Sequence, residues 1–268
     1  MGDSKFSNFD NMSLHTIDEE SELIPLLTPE DEEQMNNEQL PETLPILPLR
    51  NTVLFPGVVI PITAGRDTSI NLVKDANNGS KVIGVVSQKD EETEEPGVQD
   101  INTLGTVARI LRVLQMPDGN TTVIIQGKKR FEIAEILTKK PYMTATVREA
   151  QETRPDQTGK EFLAIIDSIK DLALKIIRDN PNIPSEASFA IKNIQSNSFL
   201  INFIASNLNL KVEEKQAILE LSDMNERATK VLANLDAQLQ LLELRSKIEN
   251  KVRTDIEKQQ KDYFLNQQ

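Results

Sequence analysis

Between Met224 and Leu265 the chain has no glycine and no proline, while Val231, Leu235, Leu239, Leu242, Ile248, Val252 and Ile256 recur at spacings near three or four. That period predicts one uninterrupted helix, roughly 60 Å long at 1.5 Å per residue. A small domain cannot cover such a rod, so its distal half is expected to project or to pack on a partner. The distal half is also the more polar, since Lys251–Asp262 offers only Val252 and Ile256 as large apolar residues. Asp223 with Glu226 three residues on has the form of a capping box at the rod's start. At the other end Asn266-Gln267-Gln268 carries no C-cap signal, and the chain reads as stopping in mid-helix. Leu235, Leu239 and Leu242 have two readings: pairing with a second chain, or covering the domain that precedes the rod.

The helical character begins earlier. Gln151–Gly159, with Pro155 and Gly159, reads as a boundary. After it Phe162, Ile166, Ile169, Ala173 and Ile176 form a helical stripe that Ile165 and Leu172 widen. Asn180-Pro181 stops that helix. Three shorter helices are predicted over Ser185–Ile194, Ser198–Asn207 and Val212–Leu221, so residues 151–223 form a helical bundle that leads into the long helix at 224–268.

From Leu44 to about Ala150 the pattern changes to short β-branched runs broken by turn residues. Leu44–Leu49 contains Pro45 and Pro48 and is predicted as an edge strand, because proline lacks a ladder donor. Val53-Leu54-Phe55 and Val58–Ile62 flank a turn at Pro56-Gly57. Asp67 or Thr68 is placed to cap a short helix near Ser69–Ala76. Lys81–Ser87 reads as a buried strand. The strongest local signal is a long hairpin, Thr103–Met116 and Thr121–Ile133 around Pro117-Asp118-Gly119-Asn120, where Asp118-Gly119 supplies the positive-φ geometry of a tight reversal. Tyr142–Glu149 adds a further strand. Six or so short strands and one small helix, apolar on both faces, predict a compact, partly closed barrel, with bulges or corners at Gly105 and Gly127. The fold class is therefore α+β, a β-barrel followed by an α-helical bundle ending in one long helix.

The formal net charge of -12 is unevenly spread. Residues 1–43 hold twelve acidic residues against one base, Lys5, and the remaining 225 are nearly neutral. So charged a segment, without sustained period, is predicted to be a disordered acidic tail. Its reading is either a binding or solubilising arm or a solvated leader. Leu14-His15-Thr16-Ile17 and Leu23-Ile24-Pro25-Leu26-Leu27 are its two clusters able to dock, with Pro25 and Pro29 opposing a long helix. No basic stripe indicates nucleic acid or an anionic membrane. No apolar run approaches the ~18 residues of a membrane span, and a cytoplasmic location is expected.

Catalytic signatures are missing. The chain has no cysteine and one histidine, His15, which leaves no thiolate nucleophile, no Cys-based zinc site and little room for a His-based triad. Gly127-Lys128 and Gly159-Lys160 lack the upstream glycine and following hydroxyl of a phosphate loop. No His-Glu-x-x-His, Gly-x-Ser-x-Gly or Ser-x-x-Lys occurs. Carboxylate pairs such as Glu213-Glu214 read as a solvated helix face, and Lys128-Lys129-Arg130 as either an anion holder or a surface turn. No catalytic, cofactor-binding or metal-ligating residue is assigned.

Three stretches together carry a resemblance: Leu44-Pro45-Ile46-Leu47-Pro48-Leu49-Arg50-Asn51-Thr52-Val53-Leu54-Phe55-Pro56-Gly57; Glu95-Pro96-Gly97 with Leu104-Gly105-Thr106-Val107-Ala108 and Pro117-Asp118-Gly119; and Tyr263-Phe264-Leu265-Asn266-Gln267-Gln268. From about Leu44 to Gln268 the chain resembles the N-terminal region of the bacterial Lon family of ATP-dependent serine proteases. The resemblance implies a PUA-like barrel, a helical bundle and a long helix leading into an ATPase ring. It further implies a region that selects unfolded or damaged polypeptides and supports hexamer assembly in a protease that degrades misfolded and regulatory proteins. ATP, Mg and the Ser-Lys chemistry belong, in that family, to domains after the Tyr-[Tyr/Phe]-Leu-Asn-[Glu/Gln]-Gln stretch. This chain is accordingly expected to recognise substrate and not to be an enzyme by itself. The acidic residues 1–43 exceed the short leader usual in the family.

The expected mechanism is weak, exchangeable apolar contact with exposed hydrophobic segments. Candidate substrate-binding residues are Phe55, Pro56, Met116 and Pro117, which lie at turns where burial is hard to complete. The competing reading is a stand-alone Lon-domain adaptor without a motor, which the uncapped rod argues against. A small hydrolase with an unrecognised site ranks below both.

Overall fold

The computed structural model describes residues 27–115, 121–156, 159–180, 182–184 and 186–265, with side chains to residue 260. The expectations for residues 1–26, Met116 and Pro117 lie outside the described residues.

Six strands build one sheet: β1 (Thr43–Leu49), β2 (Val59–Ala64), β3 (Val82–Ser87), β4 (Leu104–Gln115), β5 (Thr121–Thr138) and β6 (Thr144–Glu149). Their order is β2-β5-β4-β3-β1-β6, and β6 returns to pair with β5. β5 closes the ring because it is 18 residues long. Val59–Ala64 of β2 lie along its first half and β6 along its second, while β4 follows its other edge. Register shifts between Ile133 and Glu135 and between Ile136 and Thr138 let so long a strand coil. It therefore runs past the predicted end at Ile133, and the barrel is the partly closed one expected.

β1 is not an edge strand. It pairs in parallel with β3 and antiparallel with β6. Its prolines are tolerated because the two pairings are staggered: Thr43–Pro45 register with β6, and Ile46–Leu49 with β3. Ile46 N–H donates to the Met143 carbonyl at 2.8 Å, so by alternation the missing donor of Pro45 faces β3 before that pairing begins. The missing donor of Pro48 faces β6 after its pairing has ended.

α2 (Asp67–Asn78) seals one barrel end with Leu72, Val73 and Ala76 in a core that includes Leu47, Ile83, Ile110 and Ile125. Its N-cap is Arg66, which makes no side-chain cap, in place of the predicted Asp67 or Thr68. Gly79 ends it, as expected. Gly105 and Gly127 are close approaches: a Cβ would lie 2.2 Å from the Val85 carbonyl oxygen at the first and 2.3 Å from that of Phe55 at the second.

The bundle consists of α3 (Lys160–Asp179), α4 (Glu186–Asn193), α5 (Asn197–Asn207), α6 (Val212–Glu220) and α7 (Met224–Leu265). α7 is the single long helix predicted. Asp223 caps it, accepting from the Asn225 N–H at 2.7 Å. Met224, Ala228, Val231, Leu235 and Leu239 are buried against the bundle, so that Leu235 and Leu239 cover it, while Leu242 is only partly buried. Beyond them Leu241, Leu244, Ile248, Val252 and Ile256 are about half exposed.

The acidic segment is not disordered throughout. α1 (Pro29–Asn37) is a helix with Thr28 as N-cap, Pro29 at its first position and Glu30, Asp31 and Glu32 in its first turn. Thr28 and Asp31 complete a capping box, and the carboxylates favour the positive end of the helix dipole. Leu27 and Met35 are buried in the bundle core. Two anchors and a good cap thus outweigh the polar composition.

Candidate functional site

Loop 50–58, between β1 and β2, packs against the helical bundle. Phe55, Pro56, Gly57 and Val58 form a type II turn, with Pro56 second and Gly57 third at φ +81°. The Val58 N–H donates to the Phe55 carbonyl at 3.2 Å, and the turn is tied to Gly127 of β5 through Gly57 N–H to Gly127 O at 2.9 Å and Gly127 N–H to Val58 O at 2.8 Å. Laced this way, the turn points inward. Phe55 is fully buried and belongs, with Val53 and Val58, to the bundle core beside Phe199 and Leu200. It is therefore a peg between domains and not a surface contact. Turns at the rim of a barrel are exposed only when nothing packs on them, and here α5 does. Pro56 is half-buried at the edge of a cleft.

Beside the peg lies a buried charge cluster. Arg130 on β5 donates to the Leu219 and Leu221 carbonyls at 2.9 and 3.2 Å and to the Gln151 carbonyl at 2.6 Å. It thereby satisfies the carbonyls that α6 leaves open at its negative end. Arg227 on α7 donates to the Leu221 carbonyl at 2.5 Å and to Asn202 Oδ1 at 3.2 Å. Glu152 lies 3.3 Å from both arginines. Burial lowers the pKa of Arg130, and that of Arg227 to about 10, while Glu152 opposes both shifts. Both arginines stay charged at neutral pH. Gln216 adds a neutral stitch, accepting from Ser87 Oγ at 2.8 Å and donating to the Leu104 carbonyl at 3.0 Å.

Lys128, Lys129 and Arg130 are thus not a surface turn. They sit within β5 and each meets an acid: Glu38 at 3.6 Å, Glu149 at 3.3 Å and Glu152 at 3.3 Å. Nothing in sequence separation signals these partners, which lie from 20 to 90 positions away. Lys215 on α6 is a further buried cation; its ammonium donates to the Ser206 carbonyl at 2.7 Å, and burial lowers its pKa to about 8.

The cleft occupies the seam between α1, β5 and α5. Pro56, Ala150, Ser198, Phe199 and Asn202 line it together with Lys128, Lys129 and Arg154, and α1 contributes Glu32, Met35 and Asn36. Away from α7, the exposed large apolar side chains include Phe189 on α4, 61% exposed, Leu137 on β5 at 49%, and Leu111 and Leu114 at 45% and 40% near the end of β4. Leu111 and Leu114 precede Met116 and Pro117 in the sequence. Among the described residues no group of His, Cys, Asp and Glu could hold a metal ion, and no helix is long and apolar enough to cross a membrane. Among the described residues the arrangement offers apolar and charged grips.

Comparison with known proteins bears on what such grips serve. Residues 43–237 match the family model of the ATP-dependent protease La (LON) substrate-binding domain. The chain belongs to the Lon substrate-binding domain family. Over its whole length it is 62% identical to 33% of the Lon protease of Flavobacterium johnsoniae. Over 92% of its length it is 51% identical to 30% of the Lon protease of Cytophaga hutchinsonii. The chain thus spans about a third of the length of these Lon relatives. The same fold occurs in the N-terminal domain of Mycobacterium avium complex Lon protease, with a TM-score of 0.59 at 21% identity, covering 72% of this chain and 98% of that one. The Lon N-terminal domain protein of Xanthomonas campestris gives 0.52 at 18% identity, over 71% and 97%.

Proposed function

We propose that this chain is the substrate-recognition and assembly-supporting region of a cytoplasmic ATP-dependent protease, and that it holds exposed hydrophobic segments of unfolded or damaged polypeptides. The match to a substrate-binding family over residues 43–237 carries this reading. The exposed apolar side chains supply its chemistry. Leu111, Leu114 and Phe189 lie outside the core, where each keeps apolar surface available to a client. Burying one such side chain is worth roughly 1.5–3 kcal/mol, so a few of them give weak, exchangeable binding that discriminates exposed core surface from folded surface. Met116 and Pro117, which follow Leu114 in the sequence, are candidate contacts together with Pro56 at the edge of the cleft, whereas buried Phe55 offers a client no surface. The half-exposed stripe on distal α7 suits contact with other subunits of a hexamer, and the ATPase and protease activities belong to the parent enzyme.

The test is fluorescence anisotropy with a labelled, permanently unfolded carboxymethylated protein as probe. The intact chain is expected to bind it and to ignore its native form. Joint Leu111→Ser and Leu114→Ser substitution, or Phe189→Ser, should weaken binding by about tenfold for each side chain's share of buried area. Equal binding of native and unfolded probe, or unchanged affinity in both variants, would overturn the reading.

A further inference from the structure

The geometry points to a second polypeptide site: the cleft under α1 is a docking groove for an acidic, amphipathic segment of a client, and α1 is its occupant in cis. The groove combines an apolar floor of Pro56, Ala150 and Phe199 with four cations, Lys128 and Arg154 among them, that outnumber its two carboxylates, Glu149 and Glu152. α1 answers each feature. Leu27 and Met35 enter the core cluster that includes Phe199. Glu32 accepts from Ser196 Oγ and stands 3.9 Å from Arg154, and Glu38 stands 3.6 Å from Lys128. The recognition pattern is therefore apolar at i and i+8, with carboxylates at i+5 and i+11.

The seat is imperfect, which is what a displaceable occupant requires. The Asn36 side-chain N–H₂ is buried without an acceptor among the described atoms, a loss that a differently placed ligand avoids. α1 has nine residues, too few to hold a helix without its docking contacts. Among the described residues its buried apolar anchors are Leu27 and Met35, its polar ties are the Ser196–Glu32 hydrogen bond and two ion pairs with partly exposed partners, and Glu38–Glu42, with Leu40 partly buried, tether it to β1. Such a strap opens as a unit while the rest stays folded. An opened groove presents its cations and Phe199 to any segment of matching pattern. This site is separate from the apolar residues of β4 and α4, and it adds a charged class of client to them.

The experiment uses the intact 268-residue chain and a fluorescein-labelled synthetic peptide of residues 24–40. Met35→Asp, which unseats the strap, should bind the peptide at least tenfold more tightly than the wild-type chain, whose own α1 competes. A peptide carrying Glu32→Arg and Glu38→Arg should bind neither. Equal affinity of wild type and Met35→Asp, equal affinity for the charge-reversed peptide, or absence of binding to the variant would overturn the assignment. If Met35→Asp loses its cooperative thermal transition, the double variant Glu32→Arg and Glu38→Arg of the chain, altered outside the core, decides by the same criteria. Binding of the unfolded probe at β4 and α4 is unaffected by any of these outcomes, so the two sites fail independently.

Discussion

The bundle meets the rest of the chain in two places that are built differently. At the seam with the barrel, Phe55 fills a hole in the bundle core while Arg130, Glu152 and Arg227 close the end of α6 around it. At the strap, α1 contributes two apolar anchors and ion pairs with partly exposed partners. The first contact buries Phe55, Arg130 and Arg227 and cannot be lost without exposing charge and core together. The second is a short helix that can lift away. The contrast teaches that a grip needs one fixed frame and one exchangeable surface. The same division recurs along α7, where Met224–Leu239 carry the buried positions and Leu241 onward the exposed ones.

The largest effects are expected at the seam. Glu152→Ala leaves Arg130 and Arg227 buried without their shared counter-charge and should cost about 3–5 kcal/mol in urea unfolding. Phe55→Ala should cost about the same, through a cavity between barrel and bundle. A change under 1 kcal/mol in either would erase the distinction between the two contacts. Next comes Lys215. Its folded pKa of about 8 lies below its ordinary value of 10.5, so between those values the unfolded chain holds the proton more tightly. Stability therefore rises with pH across that window, by roughly 3 kcal/mol. In Lys215→Met this rise should vanish; its survival would assign it to another group.

Smaller effects are expected at the strap. Met35→Ala should cost only about 1–2 kcal/mol, because the strap can detach and leave no cavity closed over it. A loss as large as that of Phe55→Ala would make α1 part of the frame. The smallest belong to distal α7: Ile248→Ser and Val252→Ser should shift stability by less than about 0.5 kcal/mol in the isolated chain. Leu235→Ala, on the same helix, should cost about 2–5 kcal/mol.

Local pattern made most of this architecture legible. The Gly- and Pro-free periodic run announced α7, and β-branched runs around turn residues announced the strands. Pro45 and Pro48 misled because an interior strand tolerates proline where its two ladders are staggered, a property of pairing and not of sequence. α1 was hidden by its charge, although Thr28-Pro29-Glu30-Asp31 carries an N-cap, a first-position proline and first-turn acids, and Leu27 and Met35 give two anchors. Those signals are readable once composition is set aside. The candidate sites were less legible. Phe55 stands beside a Pro-Gly turn, and only the packing of α5 shows that the turn faces inward. Arg130, Glu152 and Arg227 are far apart along the chain, and nothing in local pattern brings them together.

Amide hydrogen exchange of the intact chain across a low-urea series tests most directly whether one contact is fixed and the other exchangeable. The account predicts that amides of residues 30–38 exchange through a low-energy opening nearly independent of urea. Those of residues 125–131 and 199–205 should exchange only with global unfolding. Equal protection of both sets, with the same urea dependence, would contradict it.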